Sequence, residues 1–289
     1  MKILVFYSGG KDSQACLILA CKKYGVQNCE AVFCDTGWEN PMTYEHIKTT
    51  TEQLGVKLVV LKSKKYNGMI DMATKLTRWP SSQRRFCTQL LKAYPAIDYV
   101  LSLNENVIVI EGIRAQESFS RSKMEAQCTY FKYYFEFRKT KTDSYRKKDV
   151  LAWCKEFNAD KSRPIFDWSA EQTLNYILDN GQFPNPLYYM GFARVGCFPC
   201  IMSRHKSTKL IIENHPEQWN KLVEAEKLLE SSFFPPDYIP KHACSMISKN
   251  GKRFPSAQDV EKYLKGKDAT IDMFENETPS CMSTYNLCE

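Results

Sequence analysis

The stretch that decides the fold is residues 1–20, MKILVFYSGGKDSQACLILA, where an apolar run stops at two glycines and later resumes with helical spacing. Residues 3–6 are apolar and rich in β-branched side chains, which is typical of a buried strand. From Ala15 onward the apolar residues fall on one side of a helix. Gly9 and Gly10 therefore lie at a strand-to-helix turn, where the backbone bends tightly or approaches a ligand closely.

This glycine turn, residues 8–13, favours an anion. The helix after it presents unpaired N–H groups and the positive end of its dipole to the turn. Within the turn, Lys11 adds a positive charge, and Ser8 and Ser13 add hydroxyl donors. The full turn consists of Ser8, Gly9, Gly10, Lys11, Asp12 and Ser13. The pattern predicts a phosphate site, with Asp12 helping to place a Mg²⁺ ion that bridges phosphates. The spacing is not G-x-x-x-x-G-K-[ST], so a Walker A loop is excluded.

Length and composition indicate one large folded domain, or a domain with an appendage. The chain has 289 residues, of which 43% are hydrophobic, with 16 Phe and 16 Tyr, enough for a packed core. No window approaches 18 consecutive apolar residues, and the first apolar run is too short for a signal peptide. We therefore expect a cytoplasmic protein without membrane spans. The net charge of +7 favours an anionic partner, whether nucleotide, nucleic acid or acidic protein.

Strands and helices alternate along the first 111 residues. After the first strand, we expect strands near residues 30–35, 56–61 and 106–111, with helices near 42–54, 67–76 and 87–103. This order predicts an α/β, Rossmann-like fold with a mostly parallel sheet and helices on both faces. Beyond Arg121 the pattern loosens, and helices near 169–180, 215–232 and 256–264 predict an irregular, mainly helical C-terminal appendage.

Ligands of such sheets bind beyond the carboxyl ends of the strands, and two more polar segments lie there. The aspartate turn, residues 35–39, begins with Asp35 and Thr36 and is where a ribose or an adenine would lie. Residues 111–121 carry Arg114 and Arg121, whose guanidinium groups suit a second anionic group such as phosphate or sulfate. A solvated charged loop is the alternative for this second segment.

The 12 cysteines are not expected to form a disulfide framework in a reducing cytosol. Cysteine behaves as a small hydrophobic residue in apolar stretches, so core positions are predicted for Cys16, Cys21, Cys34 and Cys154. The cysteine turn, residues 197–200, is different. Its C-x-x-C spacing aims two thiolates at one metal or cluster iron, with Cys87 as a third ligand. A redox pair formed by Cys197 and Cys200 is the less favoured alternative.

The fourth metal ligand stays open between Cys244, Cys281 and Cys288, and His205 could serve if the metal were zinc.

A further segment, from Tyr130 to Lys148, interleaves seven aromatic residues with seven Lys or Arg. It could follow a phosphodiester backbone while stacking bases. The slightly favoured alternative is a plain strand with a buried aromatic face, followed by a solvated basic turn.

These motifs together resemble the PP-loop superfamily, specifically the phosphoadenosine phosphosulfate (PAPS) reductase-like branch with the adenine nucleotide α-hydrolase fold. The matching segments are SGGKDS at residues 8–13, FCDTGWE at 33–39, GIRAQESFSR at 112–121, PIFDWS at 164–169, NPLY at 185–188 and GCFPC at 196–200. They cover the first 205 residues in order. We therefore expect a PAPS reductase-like domain over residues 1–205 and a C-terminal accessory region over 206–289.

The resemblance implies roles for individual residues. The terminal phosphates of ATP or PAPS would be bound by Ser8, Gly9, Gly10, Lys11 and Ser13. Asp12 would help to place Mg²⁺. Asp35 and Thr36 would lie near the adenosine. The anionic parts of the substrate would meet the loop that carries Gly112, Arg114, Ser118 and Arg121. Catalytic roles fall to Lys11, Asp12, Arg114 and Arg121. In iron–sulfur members of the family, a C-x-x-C and an upstream cysteine hold a [4Fe–4S] cluster, and these cysteines match Cys197, Cys200 and Cys87. We expect Cys288 to be the fourth ligand.

Two departures from the family pattern bear on function. Cluster-bearing adenylylsulfate reductases have two adjacent upstream cysteines, whereas this chain has Phe86-Cys87, and the nucleophilic E-C-G-[LI]-H motif of PAPS reductases is lacking. The departures favour a branch like the sulfur-transfer proteins of DNA phosphorothioation and tRNA thiolation, in which ATP is cleaved to AMP and pyrophosphate. The expected function is an ATP pyrophosphatase that activates an acceptor, including a nucleic-acid acceptor, for sulfur from a donor such as a cysteine desulfurase or thioredoxin.

Two alternatives remain. One is a thiol-dependent reductase of PAPS or adenylylsulfate that produces sulfite. The other is a nucleotide-binding adaptor, without enzymatic activity, whose cysteines hold structural zinc.

Overall fold

The computed structural model describes residues 1–131, 145–248 and 250–266 and contains a six-stranded sheet. The strand order is β3-β2-β1-β4-β6-β5, and every neighbouring pair is parallel except β5 with β6. The strands are β1 (Lys2–Phe6), β2 (Cys29–Cys34), β3 (Lys57–Leu61), β4 (Val107–Glu111), β5 (Gln127–Thr129) and β6 (Ala159–Ser162). The predicted α/β class with a mostly parallel sheet is confirmed.

The helices of the sheet domain follow the expected order. They are α1 (Lys11–Tyr24), α2 (Pro41–Leu54), α3 (Met69–Lys75), α4 (Phe86–Thr88), a π turn (Gln89–Ala93), α5 (Tyr94–Ser102), α6 (Phe119–Ser122), α7 (Lys147–Trp153) and α8 (Ala170–Asp179), with 3₁₀ turns at Val26–Asn28, Ala115–Glu117 and Pro186–Tyr188. The C-terminal region adds α9 (His205–Asn214), α10 (Pro216–Leu229), a 3₁₀ turn (Lys241–Ala243), a small hairpin of β7 (Met246–Ile247) and β8 (Arg253–Phe254), and α11 (Ala257–Gly266).

Both faces of the sheet are covered, as predicted. Successive side chains of a strand point to opposite faces. Ile3 and Val5 belong to one buried cluster with α1, α2 and α8, whereas Leu4 belongs to another with α5 and α7. The carboxyl ends of β1, β2 and β4 meet at one edge of the sheet, so the polar segments that follow them become neighbours.

Strand β6 escaped the sequence analysis because its sequence, ADKS, carries no apolar run. Its Lys161 is only 8% exposed and forms an ion pair of 2.8 Å with Glu111 at the end of β4. A partner 50 residues away therefore allows a lysine to lie inside the sheet.

The prediction that Cys154 is a core residue was wrong. Cys154 follows α7, whose buried residues are Val150 and Trp153, and its own side chain is exposed. Cys16 and Cys21 are buried, as predicted, and Cys34 is partly buried.

The C-terminal region packs on the sheet domain through one aromatic cluster. Trp79 contacts Phe233 edge to face, with ring centroids 5.2 Å apart, and its indole N–H donates to the carbonyl of Ser231 at 3.0 Å. The same buried cluster includes Trp38 from the sheet domain and Trp219 from α10. The division at residue 205 stays a prediction. None of the helices in the described ranges is long and apolar enough to cross a membrane.

Glu226 is the buried acid that ties this region together. It is 4% exposed, and its two carboxylate oxygens accept from the backbone N–H groups of Phe233 at 2.6 Å and Ala257 at 2.5 Å. Burial raises the pKa of Glu226 to about 7, although the two hydrogen bonds oppose the rise. The side chain therefore connects α10 to the start of α11 and to the chain between them.

We expect Glu226→Ala to lower the free energy of unfolding by at least about 2 kcal/mol, because each buried N–H left without a partner costs about 1–3 kcal/mol. The measurement is chemical denaturation followed by circular dichroism. Glu224→Ala, an exposed position on the same helix, is the matched control and should change stability by less than about 0.5 kcal/mol. Equal effects of the two substitutions would contradict the role of Glu226.

His46 predicts a pH dependence of stability. It lies on α2 with Nε2 3.3 Å from Gln14 Oε1, and burial lowers the pKa of His46 to about 4 from 6.5. Between these values the unfolded chain binds more protons than the folded one, so stability falls as the pH is lowered. We expect the wild type to lose up to about 1.4 kcal/mol per pH unit relative to His46→Gln. A stability difference that is equal at about pH 7 and about pH 4.5 would refute this expectation.

Candidate functional site

The glycine turn is a tight backbone loop between β1 and α1. Gly9 has a positive φ of 78°, and a Cβ there would lie 2.8 Å from Thr43 Cγ2 of α2. Gly10 is extended and precedes the first residue of α1, Lys11. Ser13 Oγ donates to the carbonyl of Gly10 at 3.0 Å and lies 3.3 Å from the N–H of Ser8. The turn therefore forms as predicted, and a glycine is required at position 9 by conformation and by space.

The end of β4 presses against the first turn of α1 at Gly112. A Cβ on Gly112 would lie 2.4 Å from the backbone nitrogen of Ser13 and 2.5 Å from the carbonyl carbon of Asp12. Only a glycine fits at this distance, because real Cβ atoms essentially never come within 3.0 Å of backbone atoms. Gly112 thus sets how closely the two segments approach. A direct contact of Gly112 with a nucleotide stays a prediction.

This approach brings three charged side chains together. Arg114 Nε donates to Asp12 Oδ1 at 2.6 Å, and the Lys11 ammonium lies 3.8 Å from Asp12 Oδ2. Lys11 and Arg114 are only 5% and 6% exposed. Two cations against one carboxylate leave a net positive charge beside the amino end of α1, an arrangement that attracts anions. The placement of Mg²⁺ by Asp12 stays a prediction.

The NPLY segment closes the glycine turn from the other side.

 The segment, residues 185–188, ends in a short 3₁₀ turn, and the Tyr188 hydroxyl accepts from the backbone N–H of Lys11 at 3.1 Å. Asn185 Nδ2 donates to the carbonyl of Gly9 at 3.2 Å, and the Lys11 ammonium lies 5.1 Å from the centre of the Tyr188 ring. One of the N–H groups expected to be unpaired is thus hydrogen-bonded to Tyr188. The sequence analysis gave Tyr188 no role, although its segment was among the matching motifs.

The aspartate turn is organised by Glu39, a second residue that the sequence analysis missed. The Glu39 carboxylate is 7% exposed and accepts from the Thr36 hydroxyl at 2.7 Å, from the Thr36 N–H at 3.2 Å and from the Trp38 N–H at 3.2 Å. Tyr44 donates to both Glu39 and Asp35. The hydroxyl of Thr36 is therefore used inside the turn, and its placement near an adenosine stays a prediction.

Asp35 lies at the outer side of this turn. Its carboxylate accepts from Tyr44 at 2.7 Å and from the Gly37 N–H at 2.8 Å, and Lys62 forms an ion pair with it at 3.1 Å. Burial pushes the pKa of Asp35 upward, but these partners outweigh it and hold the pKa below the ordinary value. Asp35 is therefore an anion that holds the loop after β2 to the loop after β3.

The cysteine turn packs directly on the aspartate turn. The N–H of Phe198 donates to the carbonyl of Trp38 at 2.7 Å, and the Trp38 indole N–H donates to the carbonyl of Pro199 at 2.8 Å. Cys197 Sγ lies 3.9 Å from Glu39 Oε1. These contacts bring residues 160 positions apart in the sequence to the edge of the sheet where the glycine turn lies.

Lys92 is the third residue that the sequence analysis missed. It lies in the π turn after α4, a distortion often found at functional sites, and its carbonyl is 3.6 Å from Cys34 Sγ. The negative charges of Cys197, Glu39 and Cys34 raise the pKa of Lys92 well above its ordinary value, with Cys197 the largest cause. Burial raises the pKa of Cys197 to about 11, although the Lys92 cation opposes that rise. The only sign of Lys92 in the sequence was a lysine that directly follows the apolar pair Leu90-Leu91.

The proposed metal ligands meet only in part. Cys87, Cys197 and Cys200 are close enough to interact electrostatically. Within the described ranges, however, no group of three or more His, Cys, Asp or Glu side chains is arranged to hold a metal ion. The described cysteines therefore do not by themselves form a metal site, and the cluster with its predicted ligands stays a prediction.

The candidates for a fourth ligand lie elsewhere or cannot be placed. Cys244 is buried in the C-terminal region, with Sγ 3.6 Å from the carbonyl of Pro240. His205 Nε2 lies 2.6 Å from the carbonyl of Tyr238. Cys281 and Cys288 are outside the described residues.

The loop after β4 is held mainly by its own contacts. Ser118 caps α6 by accepting from the N–H of Arg121, and the Arg121 guanidinium pairs with Glu117. Of the two predicted arginines, Arg114 forms an ion pair with Asp12 of the glycine turn. Among the described residues, Arg121 forms its ion pair with Glu117 instead. Contacts of Ser118 and Arg121 with a substrate stay predictions.

The basic aromatic segment is described only at its two ends, because residues 132–144 lie outside the described ranges. Phe131 is 1% exposed and belongs to the core, and the N–H of Tyr130 donates to the carbonyl of Ala159 beside β6. Tyr145 stacks on Tyr94 at the other end. Phe131 is buried, as the plain structural alternative expects, but strand β5 ends at Thr129 and Tyr130 and Phe131 lie in a turn, so a strand does not begin the segment. The described end of the segment lies against α5.

Comparison with known proteins identifies one family model. The model of the phosphoadenosine phosphosulfate reductase domain matches residues 2–203, a range that includes all three turns of the site. A short segment is also similar to the adenosine 5′-phosphosulfate reductase of Mycolicibacterium smegmatis, with 41% identity over 51 residues, or 18% of this chain and 22% of that enzyme.

Longer relatives have names without an activity. An uncharacterized protein of Methanocaldococcus jannaschii is 29% identical over 76% of this chain, and the match covers 46% of that protein. An uncharacterized 37.8 kDa protein of Escherichia phage 186 is 26% identical over 99% of this chain and 96% of its own length. The chain thus spans less than half of the archaeal relative. Among solved structures, the PAPS reductase of Candida auris in a phosphate complex has a TM-score of 0.47 at 16% identity, covering 69% of this chain and 83% of that one.

The contact at Gly112 predicts a stability effect. We expect Gly112→Ala to lower the free energy of unfolding by about 1–3 kcal/mol, because the new methyl group overlaps the backbone of Asp12 and Ser13. Gly196→Ala is the matched control, since a Cβ at Gly196 meets no atom within 4 Å. Urea denaturation measures both. A Gly112→Ala protein as stable as the Gly196→Ala protein would mean that β4 and α1 are not held in this close contact.

Proposed function

Because the chain belongs to the phosphoadenosine phosphosulfate reductase domain family, we propose that it is a PP-loop ATP pyrophosphatase that activates an acceptor for sulfur transfer. The observation that carries the proposal is the pair of buried cations, Lys11 and Arg114, at the amino end of α1. A nucleotide triphosphate brings several negative charges, and a site with a net positive charge and a helix dipole favours them.

The first step of the proposed reaction is adenylation. An oxygen of the acceptor attacks the α-phosphorus of ATP, the bond from that phosphorus to the bridging oxygen breaks, and pyrophosphate leaves with the electron pair. Lys11, the backbone of the glycine turn and the hydroxyls of Ser8 and Ser13 would stabilise the charge that builds on pyrophosphate. Mg²⁺ bound with the substrate would neutralise phosphate charge, and Asp12 would help to place it.

Arg114 has a defined part in this proposal. In the described structure it holds one oxygen of Asp12 and thereby fixes the carboxylate beside Lys11. The adenosine would lie towards Asp35 and Thr36, which follow the neighbouring strand β2. Arg121 and Ser118, whose present partners are within the loop after β4, would contact an anionic part of the substrate.

The second step is sulfur transfer. The outer sulfur of a persulfide on a donor protein, such as a cysteine desulfurase, would displace AMP from the activated acceptor and form a disulfide between acceptor and donor. Two thiols, such as those of reduced thioredoxin, would then cleave this disulfide, leave the sulfur on the acceptor and become oxidised to a disulfide themselves. Cys197 packs on the aspartate turn, and the Lys92 ammonium beside it opposes the rise in the pKa of Cys197 that burial causes. This contact supports a sulfur-handling role at the cysteine turn. No step of the proposal depends on a metal cluster.

A second candidate function is a thiol-dependent reductase of adenylylsulfate or PAPS. The short similarity to an adenosine 5′-phosphosulfate reductase favours it. A thiolate would attack the sulfate sulfur and displace the nucleotide, and a second thiol, supplied by reduced thioredoxin, would release sulfite and leave a disulfide. The electrons come from the two thiols, so no further reductant is needed.

Replacement of Lys11 tests the leading proposal. We expect the wild type to release pyrophosphate and AMP from ATP in the presence of an acceptor-containing extract, and Lys11→Ala to lower that rate by about 10²–10³-fold. A coupled pyrophosphate assay measures the rate. Lys22→Ala, an exposed lysine in the last turn of the same helix, is the matched control and should leave the rate unchanged. Release of ADP and phosphate alone would refute the scheme.

The two candidate functions are separated by their products. With adenylylsulfate or PAPS and reduced thioredoxin, the reductase produces sulfite, whereas the pyrophosphatase does not. Sulfite that depends on Cys197 or Cys200, together with no pyrophosphate from ATP, would replace the leading proposal by the second one.

A further inference from the structure

An open pocket of about 290 Å³ lies beyond the carboxyl end of β3, between the loop after that strand and helix α5. Its walls include Leu90 and three tyrosines, and we name it the tyrosine pocket after Tyr66, Tyr94 and Tyr145. None of its lining residues belongs to the glycine turn, the aspartate turn or the cysteine turn. The pocket is therefore separate from the site of the proposed reaction, although it opens at the same edge of the sheet.

The aromatic walls are preformed. Tyr94 and Tyr145 stack in parallel, with ring centres 3.9 Å apart and planes inclined by 7°. Tyr66 is only 5% exposed, and Lys65 and Lys75 lie over its ring. Flat rings that are already fixed lose little conformational freedom when another planar group stacks beside them. The volume lies near the lower end of the range for ligand pockets, which suits one base-sized group.

Cations surround the mouth of the tyrosine pocket from two directions. Lys64 and Lys65, from the loop after β3, line the pocket, and Arg146, which precedes α7, lies next to the lining residue Tyr145 in the chain and pairs with the lining residue Asp98. Asp98, which also lines the pocket, holds Lys64 at 3.0 Å and Arg146 at 2.9 Å, and it accepts from the Tyr145 hydroxyl at 3.2 Å. One carboxylate thus holds a cation from each of two chain segments, and Arg146 pairs with Asp149 as well, at 2.7 Å. Two more exposed lysines, Lys147 and Lys148, follow Arg146.

We propose that the tyrosine pocket binds one unstacked base of a single-stranded nucleic acid, while Lys64, Lys65 and Arg146 contact the neighbouring phosphates. Proteins bind single strands through two features, aromatic side chains and a cationic surface. Every base has a face that can stack on an aromatic ring, and every nucleotide carries a phosphate that a cation can contact. An acidic peptide would engage the cations but would make little use of three tyrosine rings. The proposal concerns binding alone and does not depend on ATP cleavage.

Fluorescence anisotropy with a labelled single strand of about 10 nucleotides tests the proposal, using the full-length protein without ATP. We expect the single strand to bind more tightly than a duplex of the same sequence. Tyr145→Ala should weaken binding by about 5- to 150-fold, the range for loss of one stacked base. Tyr145→Phe keeps the ring and loses only the hydroxyl, so it should bind nearly as the wild type does.

The cationic rim is tested by the salt dependence of the same binding. Lys64→Ala combined with Lys65→Ala should reduce the slope of log K against log salt by about 1.4, because each phosphate contact to a single strand contributes about 0.7. Lys22→Ala with Lys23→Ala removes the same charge at the carboxyl end of α1, which lies at the opposite edge of the sheet, and should leave the slope unchanged.

Four results would overturn the proposal. These are the absence of oligonucleotide binding at low salt, equal affinity for single strand and duplex, equal displacement of the strand by polyglutamate of similar charge, and an equal loss of affinity in Tyr145→Phe and Tyr145→Ala. The rim variants leave the stacked pair of Tyr94 and Tyr145 unchanged, so they keep the test decisive if Tyr145→Ala fails to fold. Pyrophosphate release from ATP is measured separately, so failure of either proposal leaves the other unaffected.

Discussion

The close contact between the end of β4 and the first turn of α1 is the constraint on which the site depends. At Gly112 the two backbones approach so closely that a single methyl group would overlap the amide of Ser13. Because of this approach, Arg114 reaches Asp12, and Asp12 stays beside Lys11. Charges that are distant in sequence thereby become one cluster at the amino end of a helix. The anion-binding character of the site follows from this packing as much as from the glycine turn itself.

A second constraint comes from Glu39. Its buried carboxylate accepts hydrogen bonds from the aspartate turn and lies beside Cys197, so the loop after β2 and the cysteine turn form one unit. A buried carboxylate is costly unless its hydrogen bonds are satisfied, and here backbone and hydroxyl donors satisfy them. Lys92 provides a cation close by. The thiol of Cys197 therefore lies in a charged environment beside the proposed nucleotide site.

Most of the sheet could be predicted from the sequence because its inner strands bury both faces and are made of apolar runs. Strands β1 to β4 and the helices between them appear within a few residues of the predicted ranges. Strand β6 could not be predicted, since its inward Lys161 depends on an ion pair with Glu111. The importance of Lys92, Glu39 and Tyr188 was missed for the same reason. Each acts through partners far away in the chain, and local patterns carry no information about them.

The sequence by itself determined that a strand ends in a glycine turn, that a helix follows and that an anion would be favoured there. These features depend on neighbouring residues, because φ preferences, helix dipoles and apolar periodicity are local. Only the tertiary structure decided that Arg114 holds Asp12, that Tyr188 takes the N–H of Lys11 and that three cysteines approach one another beside Lys92. Those contacts need chain segments up to 177 residues apart to pack together, and packing is a property of the whole fold.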